Sequence, residues 1–190
     1  EIMPDIEKTL KTERMIEKEI VTNDKTKIYL ARILPYAIPS STLRGAVATF
    51  IDVTAFHDAK RLQTVIDALP EHIAVLDHTG TIMLINSAWK RFALANGDKE
   101  MKRSGIGVNY LEVCLGDGKD GSIASAAVKG IRGILEGTLF SFSLEYPCHS
   151  PDEQRWFVMN VAPVNSGEYG AVISHINISS WYNPDAGQRS

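Results

Sequence analysis

The sequence KIYLARILP at residues 27–35, followed by GAVATFIDVT at residues 45–54, returns later as RWFVMNVAP at residues 155–163 and GAVISHINIS at residues 170–179. From 27 to 155 the offset is 128 residues and from 45 to 170 it is 125. The difference falls in the turn between the two segments, where loops vary most. A repeat of this length indicates two copies of one domain, not a solenoid. Since the first copy starts so near residue 1, we expect it to be incomplete and the chain to be a piece of a longer protein.

Composition narrows the class of protein without identifying it. The 190 residues fit one or two domains, and 44% hydrophobic with 23% charged residues is ordinary for a globular protein. A net charge of -3 gives no reason to expect nucleic-acid binding, and no window approaches the ~20 apolar residues of a membrane span. Cys114 and Cys148 make no disulfide framework, so we expect reduced thiols and a cytoplasmic location.

An antiparallel three-stranded meander is predicted near each end of the chain, from apolar alternation bounded by turn residues. The N-terminal strands are predicted at residues 15–21, 28–36 and 46–53, after a helix ending at residue 12. The C-terminal strands are predicted at residues 140–146, 155–164 and 170–178. Five side chains of the first meander are expected to need burial: Ile16, Ile20, Tyr29, Ile33 and Phe50.

A helix is predicted directly after the first meander, over residues 54–69. Its apolar residues step by four and three, which is the spacing of a coiled-coil seam: Ala55, Ala59, Leu62, Ile66 and Leu69. Two interpretations stay open, a helix packed on its own domain and a dimerising signalling helix. Beyond it, we predict a strand hairpin at residues 73–76 and 81–85 and helices at residues 88–93, 108–114 and 122–136.

The order of these elements, two strands, short helices, a longer helix and three strands, resembles a PAS domain. IAVLD at residues 73–77, with Gly80 and Asn86, is similar to the opening hairpin of that family. The two repeated segments near residues 155–179 are similar to its closing hairpin. The resemblance implies an α+β PAS fold: a five-stranded antiparallel sheet with helices on one face, preceded by the three-stranded C-terminal half of another PAS domain and a linker helix.

The junctions after the closing strands are the predicted signal-coupling positions. Asp52 and Thr54 resemble the Asp-Ile-Thr signature that joins a PAS domain to its output helix, whereas Asn177 and Ser179 depart from it. The expected organisation follows from these junctions. Residues 1–54 are the C-terminal half of a first PAS domain, 55–69 the linker helix, 70–180 a complete second PAS domain, and 181–190 a tail toward an output domain.

Alternation within the strand at residues 155–163 separates two faces of the predicted sheet. Phe157, Met159 and Val161 are expected to face the core and any ligand. Trp156 and Val158 lie on the outer face, where a flanking helix, the chain's own linker or a second subunit would cover them. We therefore group Trp156 and Val158 with Leu62, Ile66 and Leu69 as candidate dimer contacts.

His175 is the main polar candidate for a ligand pocket, with Tyr110 and Ile173 completing the predicted lining. By resemblance to the flavin-binding branch of the family, the strand position of His175 points at the cofactor. A histidine can ligate iron, donate a hydrogen bond or titrate near neutral pH, although it can also be a structural core group. Cofactor options are none, a non-covalent flavin or a small metabolite. The cysteine of the flavin photosensors is replaced by Tyr110, and haem is disfavoured because the predicted helix 122–136 contains no histidine.

The sequence shows no recognisable group of catalytic residues and no recognisable group of metal ligands. Cys148 beside His149 lacks a second pair of ligands, and no nucleophile, base and acid combination appears. The expectation is therefore a non-enzymatic, cytoplasmic sensory or signal-relay module of a bacterial protein, such as a two-component sensor kinase or a chemotaxis protein. Its expected partners are a second copy and an output domain of the same full-length protein. The alternative is a ligand-free dimerisation scaffold.

Overall fold

The computed structural model describes residues 2–37, 44–116, 121–149 and 153–182, apart from the side chains of residues 165 and 166. Within it the chain divides into two compact units, Glu1–Gln63 and Thr64–Ser190. Element boundaries differ from the predicted ones by no more than two residues. Most of the predicted 181–190 tail lies outside the described residues.

The first unit is a three-stranded antiparallel sheet with one helix packed on it. Helix α1 packs against the second and third strands, and the ion pair between Lys18 and Asp5 ties it to the first strand. The elements are α1 (Met3–Thr12), β1 (Ile16–Val21), β2 (Ile28–Ala37) and β3 (Arg44–Asp52), in the order β1-β2-β3.

Burial in the first unit is uneven. Ile33 and Ala31 on β2 are fully buried. Of the side chains expected to need burial, Ile16, Ile20 and Tyr29 are half-buried, and Phe50 is 53% exposed. One helix therefore covers only part of this sheet, because β3 keeps most of its side chains in solvent.

Helix α2 (Thr54–Ala68) contains the boundary between the two units. The second unit then follows with a larger α+β arrangement. Its elements are β4 (His72–Asp77), β5 (Ile82–Ile85), α3 (Ser87–Ala95), α4 (Tyr110–Gly116), α5 (Gly121–Leu135), β6 (Phe142–Pro147), β7 (Trp156–Ser166), β8 (Tyr169–Asn177) and α6 (Ser179–Tyr182).

The five strands of the second unit form one antiparallel sheet in the order β5-β4-β8-β7-β6. Alternate residues of its strands join α4 and α5 in a single hydrophobic core, with Ile131 and Ile173 among the fully buried members. Gly170 allows close packing at the start of β8, since a Cβ there would stand 2.9 Å from the carbonyl oxygen of Asp77. The predicted fold class, with its five-stranded sheet, helices and preceding three-stranded sheet, is confirmed.

The two meanders share one register as well as one topology. Ile33 pairs with Ala48 in the first, and the equivalent Val161 pairs with Ile173 in the second. The same correspondence holds from the Tyr29–Asp52 pair to the Pro35–Ala46 pair. The repeat in sequence is therefore a repeat of strand pairing, residue by residue.

Within the described ranges, no helix is long and apolar enough to cross a membrane.

Candidate functional site

A pocket of about 270 Å³ opens in the second unit, between α3, α4 and the inner face of the sheet. Three polar side chains are buried in the described part of the chain, Thr9, Asn86 and His175, and of these only His175 lines this pocket. A larger surface groove of about 700 Å³ runs along α5, but it contains no buried polar side chain. We therefore take the smaller pocket as the candidate site.

His175 lies between two tyrosines. Its Nδ1 is 2.7 Å from the Tyr146 hydroxyl of β6, and its Nε2 is 3.1 Å from the Tyr110 hydroxyl of α4. His175 is 7% exposed, and these two bonds satisfy both ring nitrogens with protein groups. The network ties three elements of the second unit together through one side chain.

The three members of this network are uncharged at neutral pH. Burial, with a smaller contribution from His72, lowers the pKa of His175 to about 3, because the charged imidazolium would lose its hydration. Burial likewise raises the pKa of Tyr110 and of Tyr146 well above the ordinary tyrosine value. The pocket thus presents hydrogen-bonding groups without presenting a charge at its base.

Aromatic rings form most of the pocket wall. Trp89 on α3 packs against His175 with ring centroids 5.5 Å apart, and its Nε1 donates to the Ser104 carbonyl at 2.9 Å. His72 on β4 lies 4.4 Å from Phe92 between centroids. Burial of His72, aided by nearby arginines, lowers its pKa too.

Charged and polar groups gather at the rim. The Asp98 carboxylate accepts hydrogen bonds from the backbone N–H groups of Lys102 and Arg103 and from the Ser104 hydroxyl, and these bonds lower its pKa. Arg155 donates to Asn96 Oδ1 at 2.8 Å and lies over the Phe92 ring. The rim is therefore already tied by internal bonds.

The predicted pocket residues separate into two groups. His175 and Tyr110 line the pocket. The other four, Phe157, Met159, Val161 and Ile173, are at most 2% exposed and face the core as the alternation predicted, without lining the pocket.

Several members of the site were not predicted from the sequence, namely His72, Trp89, Phe92, Asn96 and Tyr146. Two of them had a usable signal. His72 pairs directly with His175 across β4 and β8, and Tyr146 faces the same side as Phe157, its partner in β7. Both follow once the strand register is known, whereas no sequence pattern places Trp89 and Phe92 at the pocket.

The two predicted coupling junctions make the same hydrogen bonds. Thr54 Oγ1 accepts from the Ile28 N–H at 2.9 Å, and its own hydroxyl donates to Asp52 Oδ1 at 2.6 Å. Ser179 and Asn177 repeat this, with the Trp156 N–H donating to Ser179 Oγ at 3.0 Å and Ser179 donating to Asn177 Oδ1 at 2.6 Å. The departure from the Asp-x-Thr pattern therefore leaves the geometry unchanged.

The candidate dimer residues lie on two surfaces. Trp156 and Val158 are half-buried, and the Trp156 ring stacks on Tyr182 of α6 with centroids 4.9 Å apart. On α2, Leu62 is 66% exposed and Leu69, just after the helix, is 40% exposed, whereas Ile66 is half-buried.

Asn86 forms a joint between α2 and the pocket elements. Its Oδ1 accepts from the backbone N–H groups of Ile73 and Trp89, and its Nδ2 donates to the carbonyls of Ile66 at 3.1 Å and Glu71 at 2.8 Å. It caps α3 and the end of α2 with one amide. The bonds to α2 were not predicted from the sequence.

Among the described residues, no group of three or more His, Cys, Asp or Glu side chains could hold a metal ion. Burial raises the pKa of the Cys114 thiol to about 11 and also raises that of Cys148, so both thiols are protonated at neutral pH.

Comparison with protein families matches residues 1–54 to the family described as PAS domain. The second unit has the five-stranded antiparallel sheet and helices of that fold. The match covers the first 54 residues, and the resemblance to a PAS domain inferred from the sequence is confirmed.

Among curated proteins, an uncharacterised 104.1 kDa protein of Rhodobacter capsulatus, from the region 3′ of hypE, is 45% identical over 184 residues. The match covers 96% of this chain and 19% of that relative, so the chain spans about a fifth of the relative's length.

Solved PAS domains are similar at lower identity. The domain of an HTR-like protein from Haloarcula marismortui is 19% identical, with TM-score 0.44, covering 65% of this chain and 94% of that one. The domain of BvgS from Bordetella pertussis is 16% identical, with TM-score 0.47 and coverage of 69% and 96%. The domain of the quorum-sensing receptor RpfR from Cronobacter turicensis, in complex with BDSF, is 20% identical, with TM-score 0.40 and coverage of 60% and 98%.

Proposed function

We propose that this chain is a cytoplasmic sensory and signal-relay module of a bacterial signal-transduction protein. It binds a small molecule in the His175 pocket and passes a conformational change through flanking helices to an output domain. The observation that carries this proposal is the hydrogen-bond network of the buried His175 with the half-buried Tyr146 and Tyr110 at the base of an aromatic pocket. Such a combination of apolar wall and few convergent polar groups is typical of ligand sites.

The relay would run through Trp89 and Asn86. Trp89 touches His175, and its backbone N–H donates to Asn86 Oδ1 at 2.9 Å. Asn86 in turn holds the last carbonyls of α2. A ligand that moves the Trp89 ring would therefore shift the end of α2, and a coupling of about 1 to 3 kcal/mol would suffice for a switch.

Native mass spectrometry and an absorption spectrum of the purified protein test ligand binding. We expect a mass excess over the chain in the native spectrum that is lost on denaturation. Filling the pocket by Cys148→Trp should abolish the excess, whereas Phe140→Trp, at a 90% exposed position that does not line the pocket, should keep it. A native mass equal to that of the bare chain or its multiples, with no chromophore in repeated preparations, would contradict ligand binding.

Exposed apolar side chains on α2 favour the second candidate, a ligand-free dimerisation scaffold. Leu62 and Val65 are each more than 60% exposed and lie about 60° apart around the helix, and a solvent-facing apolar stripe of this kind is usually covered. In either function we propose a homodimer. Leu62→Glu should convert a dimer to a monomer in sedimentation analysis, whereas Thr64→Glu, about 200° around the helix, should not.

A further inference from the structure

The direction of the hydrogen bonds around His175 decides what the pocket can offer a ligand. A neutral imidazole has one N–H donor and one acceptor nitrogen. The bond from Tyr146 to Nδ1 is 2.7 Å long, and the bond between Nε2 and Tyr110 is 3.1 Å long. Since O–H donors make shorter bonds than N–H donors, these lengths favour the tautomer in which Tyr146 donates to Nδ1 and Nε2–H donates to Tyr110.

In this tautomer the hydroxyl proton of Tyr110 is not used by His175. Its neighbour is the thiol of Cys114, one turn further along α4. Sulfur is a weak hydrogen-bond acceptor. A stronger acceptor that enters the pocket can therefore replace Cys114 as the hydrogen-bond acceptor of the Tyr110 hydroxyl without breaking the bonds of His175.

The base of the pocket disfavours ions of either sign. His175 and the two tyrosines are neutral, and the other residues that line the pocket include the rings of His72, Trp89 and Phe92. An ion placed there would lose its hydration without meeting an opposite charge. The charged Asp98 and Arg103 lie among the residues of the rim, next to Ser104.

We propose that the pocket binds an uncharged, flat ligand whose carbonyl oxygen or ring nitrogen accepts a hydrogen bond from the Tyr110 hydroxyl. Its ring packs against Trp89 and Phe92, and a pocket of about 270 Å³ has room for one or two fused rings. This inference rests on the proposed ligand-binding function and specifies the chemical class of the ligand.

Three probes of similar shape separate this class from others: coumarin, which is neutral and carries a carbonyl, naphthalene, which has no acceptor, and 2-naphthoate, which is an anion. In titration calorimetry we expect coumarin to bind most tightly. Tyr110→Phe should weaken the affinity for coumarin by about fivefold to tenfold, the effect of one neutral hydrogen bond. The same variant should leave the affinity for naphthalene unchanged.

Two further variants control this test. Tyr182→Phe removes a tyrosine hydroxyl bonded to Glu145 on the surface, and it should leave coumarin binding unchanged. Cys114→Ala removes the weak acceptor that competes for the Tyr110 proton, so coumarin binding should tighten. Opposite effects of Tyr110→Phe and Cys114→Ala cannot come from a general loss of folding, which would weaken binding in both.

The outcomes distinguish this inference from the function on which it rests. The proposed ligand class is overturned if 2-naphthoate binds more tightly than coumarin, or if coumarin binding is unchanged in a folded Tyr110→Phe protein. In either case the proposal that the pocket binds a ligand still stands. If no probe binds but a molecule co-purifies with the natural protein, the class is again wrong and ligand binding stands. If no probe binds and nothing co-purifies, both proposals fail.

Discussion

Phe50 in the first unit and His175 in the second occupy the same position of the same meander, yet their environments are opposite. Phe50 pairs with Ala31 and is 53% exposed, whereas His175 pairs with Met159 and is 7% exposed. The polar residue is the buried one. Strand pairing alone therefore does not decide burial, since the registers agree residue by residue.

The elements around each meander explain the difference. In the second unit α3, α4 and β4 enclose His175, and Tyr146 of β6 bonds to it. The residue equivalent to Tyr146 in the first unit is Ile20, which has no polar group to offer. A shared strand framework thus supports a polar pocket in one unit and an apolar, partly open sheet in the other.

The largest contrast between the two units is expected at their equivalent glycines. In Gly170→Ala the new Cβ would meet the Asp77 carbonyl oxygen at 2.9 Å, and backbone cannot move aside as a flexible side chain can. We expect a loss of about 2 to 3 kcal/mol in the free energy of unfolding, measured by urea denaturation. Gly45→Ala is the matched control, because its Cβ would meet only a Tyr36 ring carbon at 3.9 Å. Equal losses in both variants would contradict the contrast.

Exchanging the residues at the equivalent positions 50 and 175 should lower the free energy of unfolding substantially in one unit only. His175→Phe leaves the half-buried hydroxyls of Tyr110 and Tyr146 without their donor and acceptor, respectively, so we expect a loss of about 2 kcal/mol in unfolding free energy. Phe50→His changes a half-exposed side chain, and we expect an effect within about 0.5 kcal/mol. Thermal or urea unfolding of both proteins measures the asymmetry, and a neutral His175→Phe would remove the case for a structural network.

The pH dependence of stability should come from the second unit. The pKa of His175 is about 3 in the folded protein and 6.5 in the unfolded chain. The unfolded state therefore binds the proton first, and stability present above pH 6.5 is lost as the pH falls toward 3. Between pH 7 and 5 we expect a loss of at most about 2 kcal/mol. His175→Gln, which does not titrate, should lose much less over that interval in urea unfolding. An identical decrease in both proteins would assign the effect to other groups.

The smallest expected contrast is between the two junctions. Thr54→Val and Ser179→Ala each remove a hydroxyl that bonds to a strand N–H, at Ile28 and Trp156 respectively. We expect each to cost about 1 kcal/mol in unfolding free energy. Closely similar costs would show that the junctions are energetically equivalent. A cost confined to Thr54→Val would show that the aspartate of the first junction, rather than the shared geometry, carries the stability.

Much of the fold was predictable because short-range sequence patterns determine its strands and helices. Alternation located the strands of both meanders, and the repeat gave their common topology before any register was known. The inward orientation of Phe157, Met159 and Val161 followed from the same alternation. The α5 helix was predicted to within one residue at each end, and Gly137 follows it with a φ of 72° that few other residues adopt.

The site was only partly predictable, because it is assembled by long-range contacts. His175 stood out as a polar residue in an apolar strand. Its partners Tyr110 and Tyr146 lie 65 and 29 residues away in sequence, on a short helix and an edge strand. Tyr110 was predicted only through the family resemblance, and no local pattern selects Tyr146 from other tyrosines. The Asn86 bonds to α2 were hidden for the same reason, since a helix cap is visible in sequence and a second helix's carbonyls are not.

Asn86 also sets a strict chemical requirement at one position. Its Nδ2 faces three carbonyl oxygens, those of Ile66, Leu69 and Glu71, at 2.8 to 3.5 Å. Deamidation to aspartate would keep the size of the side chain but replace a donor with a negatively charged oxygen aimed at three acceptors. Replacing the amide by a carboxylate at this position would therefore weaken the attachment of the end of α2, on which the proposed relay depends.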